Sequence, residues 1–294
     1  MRLETNPVTS ASGVKFQSSM GIYGFHHIVV RSNNFNDAVS NYRSLGLPLR
    51  ETLGNTDMGL SIAFFDLPNG GYIEIIVPTR DSSVISPTMK KSGSGMHLIA
   101  FNCENLKSYV DQLRKDGIKV MGEPGVGQVL VHPKFTCGIL LELREGNAHT
   151  GPKPTAAKGI VGFKCVVVRV NDVDKGVRTF SNLGLKCNRR FTNHASGMHH
   201  AVFTLKGGGL IEIVAPINSK DLKNPLAKTV INRGEGFNQI SLEATSGTVD
   251  KLTAAGVKCV REDQSHYWIS PKCTMGCLIQ LNPVDMGLTS QAKR

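Results

Sequence analysis

The sequence predicts an α+β fold built from four tandem β-α-β-β-β units. Three observations predict it: a repeat at a fixed offset, one helix-like segment followed by strand-like runs within each unit, and a composition typical of globular proteins. The chain has 294 residues, of which 40% are hydrophobic and 19% charged. This length fits one large or two medium domains, and this composition is unlike that of disordered, collagen-like or disulfide-scaffold proteins.

The repeat spans most of the chain. Segment 24–31 (GFHHIVVR) returns as 162–169 (GFKCVVVR), and segment 72–78 (YIEIIVP) returns as 210–216 (LIEIVAP), each 138 residues later. Similarity at a fixed period indicates duplicated structural units. The predicted organisation is a flexible N-terminal segment at 1–21, a first domain at 22–146, a linker at 147–159, a second domain at 160–284 and a C-terminal tail at 285–294.

Each half divides again into two units. In the first unit, an apolar strand is followed by residues 35–42 with apolar side chains at helical spacing, and then by three strand-like runs. Residues 96–144 repeat this order. A unit with one apolar sheet face cannot bury that face alone, so two units are expected to pair into a curved sheet around a cavity. A ferredoxin-like or other α+β sandwich has the same element order, and periodicity does not choose between them.

The charge of the chain is uneven. The net charge is +11, and residues 151–294 carry 20 Lys and Arg against 10 Asp and Glu, whereas residues 1–150 carry 14 against 13. A basic excess attracts anions over long range. Few aromatic residues are interleaved with these basic side chains, which disfavours nucleic acid as a partner. The expected partner is a small, anionic molecule, and pairing of two copies into a homodimer is a further option.

Cysteines and apolar runs indicate the compartment. The seven cysteines are an odd number and form no CxxC pair, so the sequence signals neither a disulfide framework nor a zinc ribbon. No apolar run approaches the ~20 residues that a membrane helix needs. A cytoplasmic location is expected, with an organelle address in the first 20 residues as the alternative.

Four segments carry a recognisable family pattern: FHHI at 25–28, IEIIVP at 73–78, GMHLIAF at 95–101 and VHPKFTCGILLEL at 131–143. Together they resemble the vicinal-oxygen-chelate superfamily, which includes glyoxalases, methylmalonyl-CoA epimerases, extradiol dioxygenases and antibiotic-resistance proteins. The last segment is most similar to the epimerase branch. The resemblance covers residues 24–145 and 162–281, and it implies two curved-sheet, cavity-bearing domains.

The resemblance also implies a metal site in the first domain. Family members that use a metal take one ligand from each of four strands, and the matching positions here are His27, Glu74, Leu98 and Glu142. The three that can ligate suit zinc, iron, manganese or cobalt. Ordinary alternation with a half-exposed polar face is the competing interpretation of these residues.

Leu98 departs from the family, which places a histidine there. His97 is its neighbour, but successive side chains on a strand point to opposite faces, so His97 should face away unless a β-bulge re-aims it. The predicted first-domain pocket includes Leu98 and Ile62.

The second domain departs further from the family. The four positions read Cys165, Glu212, Gln239 and Gln280. A thiol that is mostly protonated at neutral pH and two amides make a poor metal site, so we expect a metal-free pocket with a hydrogen-bonding floor. His200 falls where some epimerases place a second acid-base carboxylate, a position held by Ile62 in the first domain.

Three functions follow from the resemblance. The first is an isomerase or lyase in which a metal at His27, Glu74 and Glu142 polarises a carbonyl, while Glu142 or a bound water carries the proton. The second is a ligand-binding member whose cavities have lost their chemistry. The third is an iron-dependent dioxygenase, which would need two histidines and one carboxylate.

Overall fold

The computed structural model describes residues 21–146, 155–263 and 265–284. The predicted N-terminal segment except Gly21, most of the predicted linker and the predicted C-terminal tail lie outside the described residues. Within them, the chain forms two eight-stranded mixed sheets with helices, which confirms the predicted α+β class. Both are curved, open sheets, and none of the described helices is long and apolar enough to cross a membrane.

The first sheet has the strand order β2-β3-β4-β1-β5-β8-β7-β6. Its strands are β1 (Gly21–Arg31), β2 (Leu49–Leu53), β3 (Leu60–Asp66), β4 (Tyr72–Pro78), β5 (Gly95–Glu104), β6 (Val120–Met121), β7 (Gln128–Val131) and β8 (Leu140–Glu145). Its helices are α1 (Phe35–Ser44), α2 (Ser86–Ser92) and α3 (Leu106–Lys115). Strand β1 pairs in parallel with β4 and antiparallel with β5, so the two units of this half meet at the centre of the sheet.

The second sheet repeats this order as β10-β11-β12-β9-β13-β16-β15-β14. Its strands are β9 (Ile160–Arg169), β10 (Cys187–Asn193), β11 (Met198–Thr204), β12 (Leu210–Pro216), β13 (Gly236–Ala244), β14 (Cys259–Arg261), β15 (Tyr267–Ile269) and β16 (Ile279–Pro283). Its helices are α4 (Val173–Ser181), α5 (Pro225–Arg233) and α6 (Thr248–Ala254).

Local signals explain why helices follow β1 and β9. The side chain of Asn34 accepts a hydrogen bond from the backbone N–H of Asp37 and caps α1. At the equivalent place, Asp172 caps α4 by accepting from the N–H groups of Asp174 and Lys175. Such caps satisfy amides that the first turn of a helix leaves unpaired.

The two sheets share one apolar core, and the contacts between them follow an approximate twofold symmetry. The backbone N–H of Asn69 donates to the carbonyl of Val161 at 2.9 Å, and Gly207 donates to Tyr23 at 2.8 Å, each residue being 138 positions from its counterpart. The ring of Phe25 stacks on that of its own counterpart, Phe163, with centroids 3.8 Å apart. Buried residues of both halves belong to one continuous cluster, so the sheets pack as one body.

Candidate functional site

The residues predicted for the first site share one face of the first sheet. In the strand register, Glu74 of β4 lies opposite Val29 of β1, and Val29 lies opposite Leu98 of β5. Ala100, two residues beyond Leu98, lies opposite both His27 and Glu142. Side chains two apart on a strand share a face, so His27, Glu74, Leu98 and Glu142 lie on this side, which we call the inner face.

A β-bulge places two histidines side by side. The register between β1 and β5 shifts between Phe25 and His27, so His26 is an extra residue. Nδ1 of His26 lies 2.7 Å from Nδ1 of His27, and one of these atoms carries the shared hydrogen. Burial, together with the cations Arg144 and Arg50, lowers the pKa of His26 to about 3. Burial also lowers the pKa of His27 well below its usual value, so both imidazoles are neutral at pH 7.

An aromatic and cationic stack holds His27 in place. Its ring lies parallel to that of Tyr72, with centroids 4.6 Å apart. The Arg50 guanidinium lies 4.7 Å from the centroid of the Tyr72 ring, a cation–π arrangement. Arg50 is anchored in turn by Asp66, whose Oδ1 accepts from Nη1 at 2.9 Å. Because the imidazole is 99% buried, this packing fixes its orientation.

Glu74 is the carboxyl group next to His27. Its Oε2 lies 3.6 Å from Nε2 of His27. Burial is the main cause that raises the pKa of Glu74 to about 7, the charge of Glu142 raises it further, and Arg144 and Arg50 act against them. A carboxyl group with this pKa is present in both protonation states at neutral pH, which is the property of an acid-base catalyst.

Glu142 is held by an arginine two residues along the same strand. Its Oε1 lies 3.2 Å from Nη1 of Arg144, although that buried oxygen has no partner that meets hydrogen-bond geometry among the described residues. Burial raises the pKa of Glu142, and Arg144 opposes this effect. The inner face therefore holds two carboxyl groups of raised pKa and, with Arg50, two guanidinium groups.

The donor set does not fit a metal ion as the side chains are placed. In the described part of the chain, no group of three or more His, Cys, Asp or Glu side chains is arranged to hold one. Glu142 is paired with the Arg144 guanidinium. The fourth family position is Leu98, and two guanidinium groups oppose the approach of a cation. The metal set His27, Glu74 and Glu142 remains a prediction.

Leu98 and Ile62 belong to an apolar part of the inner face. Together with Val29 and Ile76 they form a buried cluster against Ile85 and Met89, which lie at the start of α2 and within it. This helix covers one end of the inner face and leaves the polar end, with Glu74 and Arg144, partly exposed.

His97 does not take the place of Leu98. A bulge does occur here, because Val29 pairs with Leu98 and Val30 with Met96, which leaves His97 as the extra residue. Burial and then the charge of Arg31 lower the pKa of His97 to about 4. Leu98 keeps its position opposite Val29, and His97 completes no metal-binding group within the described residues.

The predicted residues of the second site also share one face of their sheet, the inner face of the second sheet. Nδ1 of His200 lies 2.7 Å from Oε1 of Glu212, and the His200 ring stacks on Phe191 with centroids 4.5 Å apart. Burial raises the pKa of the Cys165 thiol well above its usual value. A neutral thiol is a poor metal ligand, and the metal-free pocket stays a prediction.

Gln280 is the centre of a hydrogen-bond network next to this pair. Its Oε1 accepts from Ser241 at 2.9 Å and from Gln239 at 3.4 Å, and its Nε2 donates to Glu262 at 2.6 Å. The predicted hydrogen-bonding floor is therefore largely satisfied by its own members.

Four residues near the first site were not identified from the sequence: His26, Arg50, Tyr72 and Arg144. Tyr72 and Arg144 lie two residues from Glu74 and Glu142 in the same strands, so alternation could have identified them. His26 depends on the bulge, which sequence does not reveal. Two surface clefts of about 420 and 390 Å³ lie along α1 and near Pro68 and Ile160, and no predicted site residue lines either.

Comparison with known proteins gives the class of the fold. A family model described as the Glyoxalase/Bleomycin resistance protein/Dioxygenase superfamily matches residues 26–130, and a second model with this description matches residues 162–271. Fold and matches together define a tandem pair of glyoxalase-type domains. The chain belongs to the Glyoxalase/Bleomycin resistance protein/Dioxygenase superfamily, as the sequence predicts.

Similar proteins include epimerases. An ethylmalonyl-CoA/methylmalonyl-CoA epimerase of Cereibacter sphaeroides is 29% identical over 129 residues, which is 41% of this chain and 96% of that protein. The mitochondrial methylmalonyl-CoA epimerase of Dictyostelium discoideum is 26% identical over 147 residues, covering 46% and 88%. A mutant 4-hydroxymandelate synthase of Streptomyces coelicolor has a similar structure, with a TM-score of 0.71, 11% identity and coverage of 89% and 92%. At this low identity, the structural similarity shows a shared fold alone.

Proposed function

We propose that the first domain is an isomerase or lyase that moves a proton next to a carbonyl group. The observation that carries this proposal is Glu74, a carboxyl group 18% exposed, with a pKa raised to about 7 and set 3.6 Å from His27. Near pH 7 its ionised form can take a proton from carbon and its protonated form can return one.

The neighbouring side chains suit this reaction. Neutral His27, fixed by Tyr72 and His26, lies 3.6 Å from the Glu74 carboxyl group. Proton removal next to a carbonyl places negative charge on the carbonyl oxygen, and the guanidinium groups of Arg144 and Arg50 supply positive charge to meet it. Glu142, predicted from the sequence as the proton carrier, is the second acid-base candidate because its pKa is also raised.

An acyl-CoA thioester is the proposed substrate class. Two of the similar proteins named above are epimerases of malonyl-CoA derivatives. Arg50 and Arg144 suit an anionic acyl group, and the basic excess in residues 151–294 suits the phosphates of coenzyme A.

Proton exchange in heavy water tests the proposal. The protein is incubated with methylmalonyl-CoA in D₂O, and incorporation of deuterium at the carbon between the carbonyl groups is followed by mass spectrometry. We expect exchange with the wild type and a loss of ~10²–10⁴-fold in Glu74→Gln, the usual size of general acid-base catalysis. Glu212→Gln, in the second sheet, is the matched control and should retain the rate. Equal exchange in Glu74→Gln and the wild type contradicts the role of Glu74.

The pH profile gives an independent measurement. Proton abstraction needs ionised Glu74, so kcat/KM for exchange should rise with pH through about 7, the pKa of this group in the protein. Arg144→Gln removes a positive charge that lowers this pKa, so the rise should move to higher pH. A profile without a step between pH 6 and 8 contradicts the assignment.

The metal-assisted form predicted from the sequence is tested separately. Metal content is measured in protein purified without added metal, and again in His27→Ala and Glu142→Ala. Stoichiometric metal that both substitutions remove would support the predicted set, whereas its absence would favour acid-base chemistry by the side chains alone.

A ligand-binding protein is the second candidate. Leu98 packs in an apolar cluster and cannot ligate, and Glu142 is paired with a cation, Arg144. In this case methylmalonyl-CoA or another acyl-CoA would raise the melting temperature of the protein without exchange of its protons.

A further inference from the structure

The second sheet also has an imidazole–carboxylate pair, but its imidazole comes from the other neighbour of the equivalent strand. Glu212 of β12 is the counterpart of Glu74 in β4. In the first sheet the imidazole comes from β1, where His27 pairs with Tyr72. In the second it comes from β11, where His200 pairs with Val214. The counterpart of His27 is Cys165, so this pair is not a degraded copy of the first.

The hydrogen bond to Glu212 determines what His200 offers. Nδ1 lies 2.7 Å from a carboxylate oxygen. Because an ionised carboxylate only accepts, Nδ1 donates its hydrogen. In a neutral imidazole, Nε2 is then an acceptor. Nε2 is buried, and it has no hydrogen-bond partner within the described part of the chain.

The other polar groups of this face each donate at least one hydrogen bond to a neighbouring side chain. Nε2 of Gln280 donates to Glu262, and Nε2 of Gln239 donates to Gln280. Ser241 also donates to Gln280, and Nδ2 of Asn238 donates to Gln239. The buried polar atom of this face without a partner among the described residues is Nε2 of His200, the acceptor of the neutral ring, and it lies next to a carboxylate. A head group that donates hydrogen bonds fits this arrangement, and a carboxylate or phosphate does not.

The remainder of the face is apolar. A buried cluster lies around the pair and includes two side chains from α5. Its members are Cys165, Val167, Val214, Leu226 and Val230, with Met198 and Leu210 packed against them. The five buried members are covered, whereas Met198 and Leu210 are half-buried and leave apolar surface next to His200 and Glu212. An apolar surface beside one or two directed polar groups is the usual form of a small-molecule site.

We propose that the inner face of the second sheet binds a small molecule with an apolar body and a hydrogen-donating head, a hydroxyl or a protonated amine, at Nε2 of His200 beside Glu212. This site is separate from the one in the first sheet and does not depend on the function proposed there. Its ligand chemistry differs from the anionic ligand expected from the overall charge.

A set of ring compounds that differ only in the head group tests the proposal. Cyclohexanol and cyclohexylammonium donate hydrogen bonds, whereas cyclohexanone and cyclohexanecarboxylate only accept them. Each is titrated into the full chain, and changes in ¹H–¹⁵N chemical shift around His200 are measured by NMR. We expect one or both donors to bind at least about fivefold more tightly than cyclohexanone, as one hydrogen bond contributes. Which donor binds more tightly distinguishes a hydroxyl from an amine.

Substitutions test whether the His200–Glu212 pair is responsible for the binding. His200→Phe keeps a ring that can stack on Phe191 and removes Nε2, so the preference for donors should disappear. His199→Phe, at the adjacent position on the opposite face, is the matched control and should keep the preference, as should Glu74→Gln in the first sheet.

A measurement on the wild-type protein tests the proposal even if the variants do not fold. In protein with ¹⁵N-labelled histidine, long-range ¹H–¹⁵N spectra should show hydrogen on Nδ1 of His200 and none on Nε2. Hydrogen on Nε2, with or without hydrogen on Nδ1, would overturn the proposal. It is also overturned if the acceptor-only compounds bind as tightly as the donors, or if none of the four binds near His200.

Discussion

At the scale of single residues, Glu74 and Glu212 occupy equivalent positions in two different settings. Glu74 has a histidine on one neighbouring strand, a second carboxyl group and two guanidinium groups nearby. Glu212 has a histidine on the other neighbouring strand and a network of amides. The same carboxyl position thus lies among carboxyl and guanidinium groups in one sheet and beside a network of amides in the other.

The raised pKa of Glu74 predicts a pH-dependent effect on stability. Its pKa is about 7 in the folded protein, against an ordinary value of 4.5. Between these values the unfolded chain has released the proton and the folded chain retains it, so this group lowers the free energy of unfolding as pH rises. Glu74→Gln should therefore stabilise the protein by ~1–3 kcal/mol at pH 8 and have little effect at pH 4.5.

Urea unfolding at the two pH values measures this effect. Glu104→Gln, at an exposed residue of β5, controls for the simple loss of a negative charge. Equal effects of Glu74→Gln at pH 4.5 and pH 8 would mean that the Glu74 carboxyl group has the same pKa in the folded and unfolded states.

Strand alternation is enough to place His27, Glu74 and Glu142 on one face, whereas the position of His26 depends on strand pairing. His27, Glu74 and Glu142 share a face, as the resemblance implies. The doublet His26-His27 is visible in the sequence, but alternation sends one member to the opposite face. Only the bulge brings the two imidazoles together, and a bulge depends on the register with a strand more than 70 residues away.

At the scale of elements, the turn between β3 and β4 supports the first site. Gly71 has a φ of +78°, and a Cβ atom there would lie 2.5 Å from Cε1 of Phe25 and 2.6 Å from the carbonyl oxygen of His26. The turn thus packs against the bulged part of β1. Phe25 also stacks on Phe163, which limits how far its ring can move.

Gly71→Ala should therefore destabilise the protein and disturb the histidine pair. We expect a loss of ~2–4 kcal/mol, from the positive φ and the clash together. Gly70→Ala is the matched control, because Gly70 has a φ of +107° but no atom within 4 Å of its Cβ position. Its effect should come from the backbone alone and be smaller by ~1 kcal/mol or more. Thermal unfolding of both variants measures the difference, and equal losses would mean that the contact with β1 is loose.

The order of the elements could be predicted from the sequence, whereas the pairing of strands between the units could not. The repeat and the helical spacing after β1 predict β-α-β-β-β units, and the structure confirms them. The same pattern fits a ferredoxin-like sandwich. What separates the two is the pairing of β1 with β5 between units, a long-range contact that no local pattern encodes.

At the scale of the whole molecule, Asn69 joins the two sheets. Its Nδ2 donates to the carbonyl of Phe163 at 2.8 Å, and its Oδ1 accepts from the N–H of Phe163 at 3.0 Å. Because the two sheets share one apolar core, we expect the chain to unfold in a single transition.

Asn69→Ala should lower the free energy of unfolding by ~1–2 kcal/mol, since two hydrogen bonds are lost. Asn69→Asp keeps the acceptor and removes the donor, so its effect should be intermediate. Urea unfolding followed by circular dichroism and by Trp268 fluorescence measures both values. Transitions at different urea concentrations for the two probes would show that the sheets unfold separately.

The two symmetry-related hydrogen bonds between the sheets, Asn69–Val161 and Gly207–Tyr23, have an evolutionary consequence. In an association of two identical subunits every mutation occurs twice, so a change that alters one cavity alters both. Here the equivalent halves are encoded separately within one polypeptide. The interface can stay self-complementary while each cavity accumulates its own substitutions, and a histidine can be lost from one strand and gained on another without harm to the other copy.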